Sequence, residues 1–112
     1  MLKISLSIGL ALAMAALAVA QQPAQRTAAQ AYKNIQVLKD IPNTQLIPTM
    51  RFISTALGVE CEFCHMGDRS ADTPNKQTAR KMIALVRDAN AKIGAARVSC
   101  YTCHRGQQRP AQ

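Results

Sequence analysis

The sequence predicts a small, mostly α chain built from two helix–turn–Cys-x-x-Cys-His units with little regular strand. Three observations carry that prediction. Two stretches repeat apolar residues at helical spacing, a glycine closes each stretch, and the same kind of pentapeptide follows each one. A length of 112 residues leaves room for one small domain and excludes a multidomain enzyme.

The first element is a leader. Lys3 precedes an uncharged run from Ile4 to Ala20 that ends in Ala18-Val19-Ala20. A basic start, an apolar stretch and a small-x-small end predict a cleaved signal peptide over residues 1–20. The alternative is a permanent membrane helix, against which the single flanking lysine, the many alanines and Gln21-Gln22-Pro23 argue. No cysteine lies near the expected cleavage point, so no lipid attachment site is expected. Residues 21–31 are polar and alanine-rich and read as a flexible linker or a frayed first turn; residues 32–112 form the domain. The weak alternation at Ile35 and Val37 predicts a short extended segment ending at Pro42.

The first long helix is expected to start at Asn43-Thr44, with Pro48 early enough to be tolerated. Leu46, Met50, Ile53 and Leu57 form its apolar stripe, and Gly58 stops it. The second opens at Thr73-Pro74, a capping residue followed by proline at the first helical position. Its face is Ala79, Met82, Ile83, Val86 and Ile93, interrupted by Asn90, and Gly94 ends it. The segment around Asp68–Asn75 reads as a solvated loop between the units.

The chemistry lies in Cys61-Glu62-Phe63-Cys64-His65 and Cys100-Tyr101-Thr102-Cys103-His104. Both read C-x-x-C-H, the attachment signature of c-type haem. Two intervening residues bring both thiols to one edge of a porphyrin, where each can add to a vinyl group. The next residue then offers its imidazole as the proximal iron ligand. All four cysteines and both histidines of the chain lie in these motifs.

Other readings use less of this pattern. A zinc ribbon separates its pairs by about 15–20 residues, whereas 35 residues lie between Cys64 and Cys100. A two-disulfide scaffold suits an exported chain but leaves both histidines unexplained. A redox CxxC pair would want a βαβ pattern, which the sequence lacks. Haem also answers a second need: once the leader is gone, the chain has no Trp, two Phe and two Tyr, a thin core for its length.

Each iron needs a sixth ligand or keeps an open site. No histidine is spare. Met1 and Met14 leave with the leader, and Met66 directly follows His65 on the wrong side of that haem. Met50 and Met82 remain, one on each helical stripe ahead of its motif. The alternative for both is ordinary core filling. Thioether ligation at two six-coordinate irons leaves no position for substrate and makes the chain an electron carrier, not an enzyme. The competing reading is a small diheme peroxidase-like enzyme with one open iron.

The segments NIQVLKDIP (34–42), QLIPTMRFISTALGVECEFCH (45–65), KQTARKMIALV (76–86) and VSCYTCHRG (98–106) together resemble the photosynthetic reaction centre cytochrome c subunit family. The resemblance implies a small multihaem cytochrome c fold in which a helix ahead of each motif supplies the distal methionine. By that resemblance Met50 serves the haem on Cys61, Cys64 and His65, and Met82 the haem on Cys100, Cys103 and His104. The family's reaction centre subunit carries four haems, and this chain has motifs for two. The expected location is the periplasm. The expected partners are redox proteins, with a photosynthetic reaction centre and a respiratory complex as candidates, and peripheral association at a membrane surface fits the same reading.

Charge bears on those partners. The chain carries 14 Lys+Arg against 6 Asp+Glu, a net +8. Without Lys3, thirteen cations face six carboxylates, which leaves +7 for docking on an acidic surface. Equally, Arg51, Arg80, Arg87, Arg97 and Arg105 can pair with the haem propionates. An exported chain without a recognised binding module is not expected to bind nucleic acid.

Overall fold

The computed structural model describes residues 24–95 and 97–110. The expected leader, residues 1–20, lies outside the described residues, as does the start of the expected linker.

Among the described residues, the first helix falls within the segment read as linker. Helix α1 spans Ala28–Ala31 and is started by a capping box: Thr27 Oγ1 accepts from the Gln30 N–H, and Gln30 Oε1 accepts from the Thr27 N–H. Ala28 is fully buried because the chain at 39–43 runs beside it. The Ala28 N–H donates to the Ile41 carbonyl (2.8 Å), and the Asn43 N–H donates to the Arg26 carbonyl (2.9 Å). Residues 28–31 therefore form an anchored helical turn, the second of the two readings of this stretch. Residues 32–41 differ from expectation: they run through bends and turns, with Asn34 in the left-handed region at φ 58°. Among the described residues the only β pairing is the isolated Thr27–Pro42 bridge.

A 3-10 turn at Asn43–Gln45 leads into α2, Leu46–Leu57. Pro48 falls in its first turn, where backbone N–H groups have no helical acceptor, so the ring is tolerated. Gly58 ends α2 at φ 64°. A second 3-10 turn, Cys61–Phe63, opens the first motif.

Between that motif and the next helix the chain forms a hydrogen-bonded knot. Asp68 Oδ1 accepts from both the N–H and the hydroxyl of Ser70, and Lys76 Nζ donates to the Arg69 and Ala71 carbonyls, at 3.0 Å each. Asn34 Nδ2 donates to the Ser70 carbonyl and to Asp72, which also pairs with Arg80 at 2.8 Å. The loop is solvated as expected, with Asp68, Arg69, Ala71 and Asp72 exposed, and is also tied to the chain around Asn34.

Helix α3, Pro74–Ile93, is capped by the Thr73 hydroxyl and closed by Gly94 at φ 75°, both as expected. Helix α4 is the second pentapeptide itself, Cys100–His104. The molecule is mostly α, and α4 packs chiefly on α2.

Few side chains are buried. Among the described residues only Ala28, Leu46 and Ala56 reach that state. Ile47, Phe52, Met82, Leu85, Ile93 and Tyr101 are large apolar groups left exposed. On α3 the expected single face is two: Ala79, Ile83 and Val86 are half-buried, while Met82, Leu85 and Ile93 point outward.

Candidate functional site

The first motif is one helical turn. The His65 N–H donates to the Cys61 carbonyl (3.0 Å) and the Cys64 N–H to the same oxygen (3.3 Å). At about 100° per residue, positions i, i+3 and i+4 fall within a sector of about 100°, so Cys61, Cys64 and His65 share one side. The turn's outer carbonyls are held from α3: Thr73 Oγ1 donates to Cys64 (2.8 Å) and Asn75 Nδ2 donates to Phe63 (2.8 Å).

His65 is half-buried, and its Nδ1 is shielded from solvent without a hydrogen-bond partner. Burial pushes its pKa down, and the Lys76 ammonium pushes in the same direction; the Arg69 backbone opposes the shift. Both effects favour the neutral imidazole, which is the form that binds a metal.

The second motif is a complete turn of α-helix. Its capping box pairs Ser99 with Thr102. Nδ1 of His104 lies 3.0 Å from the Gln107 carbonyl. A carbonyl only accepts, so Nδ1 carries the proton in this contact and Nε2 is left with its lone pair to ligate. The turn after His104 is fastened to α2: the Gly106 N–H donates to the carbonyl of buried Ala56 (2.8 Å). Ahead of the motif, Asn90 grips Val98 through both backbone groups, each contact 2.8 Å.

An open, largely apolar cleft of about 160 Å³ lies beside this second turn. Phe52 and Ile53 of α2 form one wall, Ile83 and Val86 of α3 the other, and Val98 and Cys100 complete it. Its volume lies below the roughly 300–1,000 Å³ of cofactor sites. Neither Met50 nor Met82 lines it. Met50 is half-buried on α2, and Met82 is 42% exposed on α3, adjoining the cleft wall at Ile83.

All four thiols are free. Among the described residues no three Cys, His, Asp or Glu side chains converge. Burial raises the Cys64 and Cys100 thiols above their ordinary pKa. A reactive redox pair needs the opposite shift. The donor set fits haem: two thiols and an imidazole in each motif, with exposed apolar side chains around them.

Of the arginines, Arg80 is engaged with Asp72 and Arg87 lies 3.4 Å from Asp88 in solvent. Arg51, Arg97 and Arg105 are exposed. Sequence reasoning marked Asn90 only as a polar interruption and did not single out Asn75, Gly106 or Gln107. A lone amide on an apolar helix face was the available signal for Asn90. The other contacts are made by backbone groups or across the fold, and nothing local announces them.

A family profile described as photosynthetic reaction centre cytochrome C subunit matches residues 7–112. The photosynthetic reaction center cytochrome c subunit of Thermochromatium tepidum is 37% identical over 91 residues, 74% of this chain and 22% of the relative. Cytochrome c-554 of Chloroflexus aurantiacus is 38% identical over 81 residues, 63% of this chain and 20% of the relative. The reaction center cytochrome c subunit of Roseobacter denitrificans is 31% identical over 99 residues, 72% of this chain and 26% of the relative. The chain spans about a fifth to a quarter of the length of these relatives.

Proposed function

The chain belongs to the photosynthetic reaction centre cytochrome c subunit family, and from that premise we propose that it is a periplasmic diheme cytochrome that relays single electrons. The observation that carries the reading is the pair of Cys-x-x-Cys-His helical turns, which use every cysteine and histidine in the sequence. Cys61 and Cys64 hold one haem by thioether bonds and Cys100 and Cys103 the other. His65 and His104 serve as proximal ligands, and Met50 and Met82 as distal ones. Bound there, haem supplies a one-electron ferric/ferrous couple.

The chain's residues set the terms of that chemistry. The Gln107 carbonyl fixes the His104 tautomer, and burial favours the neutral form of His65. Phe52, Ile53, Ile83 and Val86 give the open cleft beside Cys100 its apolar lining. Residues 1–20 direct export and are removed. No helix among the described residues is long and apolar enough to cross a membrane. The partner is a redox protein with an acidic docking face, a reaction centre or a respiratory complex.

The test is the intact mass and ferric spectrum of the chain from a host competent in haem maturation. Two added haems and thioether-type ferric absorption are expected. Met50→His should lower the potential of one haem and Met82→His that of the other; unchanged potentials in both variants refute the methionine assignment. Rapid cyanide or CO binding at neutral pH would instead favour an open-site, peroxidase-like enzyme.

A further inference from the structure

Helix α3 grips a Cys-x-x-Cys-His turn near each of its ends. At its start, Thr73 and Asn75 donate to the Cys64 and Phe63 carbonyls, both inside the first pentapeptide. Near its end, Asn90 Nδ2 donates to the Val98 carbonyl while the Val98 N–H donates to Asn90 Oδ1. Val98 stands two residues before Cys100. A primary amide offers a donor and an acceptor side by side, so one side chain satisfies both polar groups of that backbone unit. From Asn75 to Asn90 the helix rises about 22 Å at 1.5 Å per residue. No glycine or proline interrupts that interval, so the sequence holds nothing that would kink it.

We propose that α3 is a spacer bar: Thr73 and Asn75 fix the first haem-attachment turn at one end, Asn90 fixes the second at the other, and the helix sets their spacing. This rests on reading both motifs as haem sites. All three are positioning residues that act through the backbone of the turns. Asn90 shares a helical face with Ile83 and Val86, which wall the cleft, while Val98 and Cys100 line its far end. Its grip therefore also fixes the cleft's width where Cys100 enters. Asn75 has no such access to the second site; its contact lies inside the first turn.

That separation gives the test. In the full, haem-loaded chain, Asn90→Leu removes both Val98 contacts and Asn75→Leu removes the Phe63 contact. Contacts that orient metal ligands change site equilibria by about ten- to a hundredfold. About tenfold in a one-electron equilibrium is about 59 mV. A redox titration should show a crossed pattern: Asn90→Leu moves one midpoint, Asn75→Leu moves the other, and intact mass shows both haems retained. Where a leucine variant does not fold, Asn90→Gln and Asn75→Gln keep the amide but displace it by one methylene, and a smaller crossed pattern is expected. Midpoints that stay in place, or that move together, overturn the spacer, even if thermal stability falls; a merely structural contact lowers stability without choosing a haem. A wild-type chain carrying fewer than two haems overturns the haem reading itself, and the spacer with it.

Discussion

Gly58 meets two constraints at once. Its φ of 64° lies in the left-handed region, and a Cβ built there would run into the carbonyl oxygen of Gly106. Gly94 has a similar φ of 75° but open space around it. Alanine at Gly94 should therefore cost only the backbone term, about 1 kcal/mol. Alanine at Gly58 should cost that plus displacement of the turn after His104, about 2–3 kcal/mol in all. Chemical denaturation of the two variants measures the difference, and equal losses would mean that the close approach is not held in solution. Asp72 offers a pH test at the same scale. The Arg80 guanidinium, and then the Asn34 amide, hold its carboxyl below the usual carboxylate range. Its contribution is present above the unfolded-state pKa, about 3.9, and is lost as pH falls through the lower folded-state value. Asp72→Asn should flatten that part of the acid stability profile. Parallel wild-type and variant curves below about pH 4 would rule the ion pair out as a contributor.

At the scale of elements, one threonine does more than its neighbour. Thr73 caps α3 and also donates to the first motif, whereas Thr78 only bonds back to the Pro74 carbonyl within the helix. Thr73→Ala should cost about 1–2 kcal/mol. Thr78→Ala should be neutral or stabilise by about 0.5 kcal/mol, because alanine is the better helix former. Thermal melts of both would show whether the cap is shared with the motif. Both long helices were legible because their stop glycines, the Thr73-Pro74 start and the apolar spacing are local signals. Helix α1 was not, although Thr27-Ala-Ala-Gln30 spells a capping box; the polar, alanine-rich composition hid it. The segment 32–41 was misread because two alternating apolar residues say nothing about backbone partners. Its neighbours are Arg80, Asp72 and Ser70, all far along the chain.

For the molecule as a whole, the thin core is the governing fact. The three residues buried among those described cannot offset the ordering of so many others, at about 1.5 kcal/mol per residue. Two haems against the exposed faces of α2 and α3 would supply apolar contact area that the sequence lacks. Replacing all four cysteines by serine should therefore abolish a cooperative unfolding transition. A sharp, cooperative melt of that haem-free chain would show that the polypeptide is stable by itself. The polar ties help without substituting for a core: the Asn34–Asp72–Arg80 cluster is partly exposed, where solvent screens such pairs.

The sequence by itself determined the helices, their glycine ends and the two Cys-x-x-Cys-His turns, because capping, periodicity and ligand spacing act over a few residues. Tertiary structure decided what those turns rest on. The second motif, expected to belong with α3, leans on α2 through Ala56 and Gly106 and is tethered to α3 through Asn90. Such contacts join residues separated by loops, and their partners are often bare backbone groups. No pattern of side chains along the chain can encode a carbonyl's neighbour across the fold.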